Sequence, residues 1–212
     1  YENDNRIDSL TILNYPIPTV NCQNYHPILD KSCSMMRAFC EIVPDTFLYF
    51  AYGSNLLKKR IHINNPSAEY LGIGRLNNHR LDFITWSPRW CGASATIVVQ
   101  EMAHVWGAVW RVHNIDIQEG VDTNWYFPKN VDVLMEGDVT VECRTYQQST
   151  SPPALVGNEQ LPVERQPSKT YLDVIIKGAL DCGIPDYYIS SLKKIPHNGK
   201  QATTEMLKKL EL

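Results

Sequence analysis

The sequence predicts an α+β fold: a small mixed β-barrel or sheet with helices covering one end. Two observations lead there. Short apolar or alternating runs fill the chain from Phe47 to Tyr146, and apolar residues at helical spacing fill it from Tyr171 to Leu210, after a long Pro-containing stretch. Strands first and helices last is the element order of an α+β chain.

Residues 1–45 stand apart, rich in Asn, Asp, Pro and Cys (Tyr15-Pro16-Ile17-Pro18, His26-Pro27) and poor in periodicity. They read as an N-terminal extension that does not carry the chemistry, with one short helix expected over Ser34–Ile42, ended by Pro44. The domain proper is expected over 46–212. Phe47–Tyr52 is a wholly apolar run that stops at Gly53, as a strand buried on both faces does. Ser54 and Asn55 are good helix N-caps, and Leu56–Arg60 continues as a helical turn. Further strands are expected at Leu81–Trp86, Ser94–Gln100 and Val105–Arg111. Tyr126–Met135 and Asp138–Tyr146 flank Glu136-Gly137, the mark of a hairpin. Gln147–Ser168 holds Ser151-Pro152-Pro153, Gly157-Asn158 and Pro162 and reads as a long loop, which in a compact domain is functional or disordered. Tyr171-Leu172, Ile175-Ile176 and Ala179-Leu180 then recur at helical spacing until Gly183. Pro185 opens a second helix running through Leu192 to Ile195, and Thr203–Leu210 forms a third.

The chain has 212 residues, 43% of them apolar and 20% charged, enough for one packed core and too apolar for a chain disordered throughout. Its 20 basic and 23 acidic residues leave a charge of −3, which argues against a nucleic-acid partner. No apolar run nears the ~18–20 residues of a membrane span. Nor does a basic stretch followed by an apolar one appear among the residues present. The chain opens on Tyr1, which reads as trimming or processing. The 6 cysteines (Cys22, Cys33, Cys40, Cys91, Cys143, Cys182) are scattered without a CxxC, which favours reduced thiols and a cytoplasmic location. A local disulfide among the first three stays open. The 6 histidines show no HxxxH or Cys/His spacing, so no metal is expected, and no GxGxxG or phosphate loop is present.

Two short segments can carry chemistry. In Tyr52-Gly53-Ser54-Asn55-Leu56, a strand turning sharply into a helix leaves backbone N–H groups aimed at one spot, suited to a carboxylate or a developing oxyanion. Gly53, lacking a Cβ, lets a ligand approach the backbone. The plain alternative is an ordinary capped turn. A nucleophile elbow at Ser54 is disfavoured, because Tyr52 and Leu56 occupy the positions where G-x-S-x-G needs glycine. In Gln118-Glu119-Gly120-Val121, Glu119 is either a solvated acid at a helix end or a carboxylate facing an apolar pocket, able to move a proton between two nitrogens. Tyr126, Tyr146 and Tyr171 each begin or end an element, where core packing is the default.

The joint order of these segments resembles the gamma-glutamylcyclotransferase family. The resemblance runs through Phe47-Leu48-Tyr49-Phe50-Ala51-Tyr52-Gly53-Ser54-Asn55-Leu56-Leu57, Arg60-Ile61-His62, Asn65-Pro66-Ser67-Ala68 and Leu81-Asp82-Phe83. It continues through Ala95-Thr96-Ile97, Val105-Trp106-Gly107, Gln118-Glu119-Gly120-Val121 and Cys143-Arg144-Thr145-Tyr146 to Gly183-Ile184-Pro185. It covers the chain from Phe47 onward and not residues 1–45. What it implies is a mixed β-barrel with flanking helices and a cofactor-free enzyme, commonly a homodimer, that converts γ-glutamyl amino acids to 5-oxoproline and a free amino acid. On the resemblance, Glu119 falls on the catalytic acid/base and Tyr52, Gly53, Ser54, Asn55 and Leu56 on the substrate loop. Tyr126, Tyr146 and Tyr171 fall near the tyrosine-lined pocket. Two alternatives stand beside this: a catalytically silent relative that binds a γ-glutamyl compound or a protein partner, and a cyclotransferase for glutathione or γ-glutamyl amines. The stretch Arg111–Gln118 is shorter than the helix that leads into that Glu in the family, and the loop between Phe83 and Trp90 is short as well.

Overall fold

A computed structural model describes residues 43–113, 125–156 and 159–212. The apolar run at Phe47 becomes β1 (Thr46–Ala51), whose antiparallel partner is β3 (Gly92–His113), in register from Thr46↔His113 to Ala51↔Ala108. On its other side β1 meets β5 (Thr140–Gln148) in parallel, at Tyr49↔Arg144. With β2 (Glu69–Ser87) and β4 (Tyr126–Met135), the strand order β1-β3-β2-β4-β5 closes into a barrel, the expected mixed architecture. The barrel encloses Phe50, Val105, Val109 and Val133, each almost fully buried, while Trp110, next to Val109 on β3, faces the other way and packs against Tyr70 and His62.

The three short strands expected between Leu81 and Arg111 are pieces of two long ones. β2 and β3 form one bent hairpin, paired from Glu69↔Arg111 to Ser87↔Gly92. The hydrophobic pattern breaks where the hairpin bends: the register shifts between Asn77 and His79, and Asn78 and Met102 take positive φ (55° and 62°). Met102 is 97% exposed there. A bulge of this kind bends the ladder without ending it, so the apolar alternation stops while the strand goes on.

The β4–β5 hairpin follows expectation, with Tyr126↔Gln148 and Leu134↔Thr140 at its two ends. Its turn is a short 3-10 segment, Glu136–Asp138, in which Gly137 takes φ 76°. β5 also runs past Tyr146 and takes Gln147 and Gln148 from the expected loop.

After β1 the chain makes a 3-10 turn, Ser54–Leu56, and enters α1 (Lys58–Asn64). Ser54 and Asn55 lie inside that turn and cap nothing; Gly53 and Leu57 hold the cap positions without side-chain hydrogen bonds. α2 (Lys169–Cys182) starts at Ser168, whose hydroxyl accepts from the Tyr171 N–H, and stops at Gly183, left-handed at φ 77°. Its buried face holds Tyr171, Leu172, Ile175 and Ala179, while Leu180 points outward. α3 (Asp186–Leu192) follows Pro185 and stops short of Ile195; α4 (Thr204–Leu210) is capped by Thr203. A Lys59–Glu211 ion pair joins α1 to the chain end after α4. Among the described residues no helix is long and apolar enough to cross a membrane. The described cysteines Cys91, Cys143 and Cys182 are free thiols; the other three, and the helix expected over Ser34–Ile42, lie outside the described residues.

α2 is pressed onto the turn after β1. A Cβ on Gly178 would stand 2.4 Å from the Leu57 nitrogen and 2.6 Å from the Leu56 carbonyl carbon. Exchanging an interior helical Gly for Ala normally stabilises by ~1 kcal/mol. Here backbone meets backbone, so Gly178→Ala is predicted to lower the melting temperature, by the equivalent of ~1–3 kcal/mol, the usual cost of overpacking. A higher melting temperature in a thermal scan would contradict the close contact.

Candidate active site

Where β1 ends, five tyrosines converge. Tyr49, Tyr52, Tyr126, Tyr146 and Tyr171, together with Gly53, Ser54, Asn55 and Ala95, line a cavity of about 50 Å³. By the same measure a single water needs ~10–15 Å³, so this space suits a small polar group. β1 delivers Tyr49 and, one residue past its end, Tyr52; the β4–β5 hairpin delivers Tyr126 and Tyr146, and the first turn of α2 delivers Tyr171.

The hydroxyls are held by the backbone of other elements. Tyr52 donates to the Tyr146 carbonyl, so the start of the turn is tied to β5. Tyr126 donates to the Ala95 carbonyl at 3.0 Å, and the Ala95 N–H donates to the Tyr171 hydroxyl at 3.2 Å. One residue of the bent hairpin thus fixes two rings. Asn55 Nδ2 donates to the Tyr49 hydroxyl at 3.1 Å, setting the amide against the cavity wall. Behind Tyr126 the side chain of Gln148, 1% exposed, donates to the Ser94 and Ala95 carbonyls (2.9 and 3.2 Å) and accepts from the Thr85 N–H (3.1 Å). Satisfied buried networks of this kind fix one geometry.

The turn has its own accounting of amides. Leu56 N–H donates to the Gly53 carbonyl at 3.0 Å and Leu57 N–H to the Ser54 carbonyl at 3.1 Å. The Leu56 amide is therefore engaged inside the turn, and the Gly53 and Ser54 amides lie outside these bonds. Gly53 leaves room beside Tyr171, whose hydroxyl would be 3.3 Å from an added Cβ. On the far side the Cys182 thiol donates to the Leu56 carbonyl at 3.3 Å. Burial, aided by Asp181, pushes that thiol up to about 11, so at neutral pH it stays protonated and able to donate. Tyr70, raised by burial and by Cys182, likewise stays neutral and donates to the Cys182 carbonyl at 2.8 Å.

A wider groove of about 370 Å³ adjoins the cavity and shares Ser54, Tyr126 and Tyr171 with it. Its remaining walls include Arg60, Trp90, Ser94 and Trp125. Trp90 packs on Tyr171 with ring centroids 4.8 Å apart. A third groove, about 570 Å³, lies elsewhere, around Arg80, Asp82, Ala154, Leu155 and Leu161. There the buried Asp82 carboxylate accepts from Arg165 at 2.6 Å and from Arg80 at 3.0 Å, which fastens the loop before α2 to the hairpin. None of the described residues of that loop lines the tyrosine cavity.

Of the residues singled out in the sequence, Tyr52, Gly53, Ser54, Asn55, Tyr126, Tyr146 and Tyr171 come together around one cavity. Leu56 does not line it: with 1% exposure its side chain belongs to the core under α2. Glu119 lies outside the described residues; the segment holding it is bounded by His113, paired with Thr46 at the start of β1, and by Trp125, next to Tyr126 of the cavity. Tyr49, Ala95 and Gln148 were not singled out. Tyr49 and Ala95 left a trace only as members of the segments that carry the family resemblance.

Residues 104–192 match the model of the AIG2-like family. Over 163 residues, 73% of this chain and 81% of the relative, the chain is 38% identical to a gamma-glutamylcyclotransferase of Bos taurus. It is 37% identical to the Homo sapiens protein of that name over the same span. A solved structure titled gamma-glutamyl cyclotransferase superposes with a TM-score of 0.68 at 32% identity, covering 78% of this chain and 98% of that one. Identity at this level over most of both chains, together with the shared barrel, means that this chain belongs to the gamma-glutamylcyclotransferase family.

Proposed function

We propose that this protein is a gamma-glutamylcyclotransferase, converting a γ-glutamyl amino acid to 5-oxoproline and a free amino acid. The observation that carries the reading is the tyrosine-lined cavity at the end of β1, walled by Tyr52, Gly53, Ser54 and Asn55. The names of its relatives support it. The reaction is an internal aminolysis: the substrate's α-amine attacks its own γ-amide carbonyl, a five-membered ring closes, and the C–N bond to the departing amino acid breaks. Nucleophile and electrophile share one molecule, so folding the glutamyl chain supplies the proximity, with effective molarities up to ~10⁵–10⁸ M in well-oriented cases. Ser54 need not act as nucleophile.

Two proton problems remain for the protein. An α-amine with pKa near ~8 is mostly protonated at pH 7, at a cost of about 1.4 kcal/mol, and the leaving nitrogen must gain a proton. Glu119 does both in sequence, taking the ammonium proton and handing it to the departing nitrogen. The Gly53 and Ser54 amides receive the substrate's α-carboxylate or the oxygen of the tetrahedral intermediate, where one lost donor costs ~10²–10³ in rate. The tyrosine hydroxyls orient the amide. In this reading residues 46–212 hold the chemistry and residues 1–45 are an extension. The enzyme needs no cofactor and works in the cytoplasm as a homodimer.

Incubation of the purified protein with γ-glutamyl-alanine is predicted to yield 5-oxoproline and alanine in equal amounts; a protein that binds the dipeptide and leaves it intact would be a silent relative. Glu119→Gln is predicted to keep the fold and lose ~10²–10⁴ in kcat, as loss of a general acid/base does. Turnover at the wild-type rate would remove Glu119 from the mechanism. Ser54→Ala is predicted to raise KM several-fold with little change in kcat. A covalent acyl group on Ser54, sought by mass spectrometry, would argue for a nucleophilic route instead.

A further inference from the structure

We infer that Arg60 is the anchor for the carboxylate of the departing amino acid, an assignment that rests on the cyclotransferase reading and gives that reading its leaving-group specificity. Arg60 sits in α1, just beyond the turn, and is 4% exposed. Its Nε and Nη1 are buried and have no hydrogen-bond partner. Among the described residues, the other two arginines buried to a similar degree are paired, Arg111 with Glu69 at 2.9 Å and Arg165 with Asp82 at 2.6 Å; the half-buried Arg75 leaves only its Nε without a partner, against two nitrogens for Arg60. Burying a cation without a counter-charge costs several kcal/mol, so a site that keeps one open is built for an anion that arrives from outside. A guanidinium carries five donors in a planar fork that matches a carboxylate.

Its position says which carboxylate. Arg60 lines the groove of about 370 Å³ that shares Ser54, Tyr126 and Tyr171 with the tyrosine cavity. No acidic residue is among the described residues lining that groove, and Arg89 adds a second positive charge at its mouth. The cavity itself holds about 50 Å³ and has no cation among the described residues that line it, which suits the glutamyl half that closes into the ring. The wider groove then receives the half that varies, with Pro88, Trp90 and Trp125 offering apolar walls to its side chain. A γ-glutamyl amine has no carboxylate to place there, and in glutathione the terminal carboxylate lies a residue further out. The pocket therefore selects a γ-glutamyl derivative of a single amino acid with a free carboxylate.

The test compares γ-glutamyl-alanine with γ-glutamyl-alaninamide, which lacks only that charge, and with 4-aminobutanoyl-alanine, which lacks only the glutamyl α-carboxylate. Wild-type enzyme should favour the acid over the amide about tenfold or more in kcat/KM, the size of a charge-assisted hydrogen bond. Arg60→Met should bring the two within about twofold, and Arg60→Lys should restore part of the preference. Wild-type enzyme treating acid and amide alike would overturn the assignment, and so would a preference that survives Arg60→Met. An Arg60→Met penalty that vanishes on 4-aminobutanoyl-alanine would overturn it too, by moving Arg60 to the glutamyl carboxylate. If Arg60→Met does not fold, judged by circular dichroism, the wild-type comparison and Arg60→Lys still decide. If no substrate yields cyclised product, the cyclotransferase reading fails by itself. Calorimetry then decides Arg60: tighter binding of the acid upholds the anchor, equal binding removes it.

Discussion

The site depends on how the turn from Tyr52 to Leu57 is wedged. On one side α2 lies so close that its Gly178 has no space for a Cβ before it meets the Leu56–Leu57 backbone. On another, the Tyr52 hydroxyl is bonded to the Tyr146 carbonyl of β5, and Asn55 reaches Tyr49 of β1. A turn left to itself would sample many conformations at a cost in entropy for each residue fixed. Held by helix and barrel together, it keeps Gly53 and Ser54 in the wall of one cavity without needing a ligand to order them.

The bent hairpin completes the enclosure. Because β2 and β3 continue past the bulge at Asn78 and Met102, their far ends fold over the end of β5, where Gln148 bonds to Ser94 and Ala95. That fold brings Ala95 between Tyr126 and Tyr171, and its two backbone groups orient both hydroxyls. Gly92 follows the same logic: an added Cβ would stand 2.2 Å from the Ser168 nitrogen, so the hairpin tip is fitted to the start of α2. Tyr171 occupies the first turn of that helix. The barrel, the hairpin tip and α2 thus hold the same few rings from three directions.

Much of this was legible in the sequence, and what was not has physical reasons. Phe47–Tyr52 announced a strand because burial on both faces leaves no polar residue in the run. Gly183 announced a helix end because a left-handed C-terminal residue favours glycine. The continuity of β2 and β3 was hidden, since the exposed bulge erases the apolar alternation that reveals a strand. Ser54 and Asn55 looked like caps by residue type, yet the chain spends them inside a 3-10 turn. The tyrosines Tyr126, Tyr146 and Tyr171 were legible through the family resemblance, not through spacing, because their convergence is a property of barrel closure. Arg60 follows two lysines, Lys58 and Lys59, with nothing in residue type to set it apart; the packing of α1 turns it inward while the two lysines stay exposed.

The central claim is that the small cavity beside this turn receives the glutamyl half of the substrate, and a crystal structure with 5-oxoproline bound tests it most directly. The account predicts the ring among Tyr52, Tyr126, Tyr146 and Tyr171, with an oxygen on the Gly53 or Ser54 amide and the Glu119 carboxylate within hydrogen-bond reach of the ring nitrogen. Product bound instead in the groove beside Arg80 and Asp82, or a Glu119 side chain directed away from the occupied cavity, would contradict it.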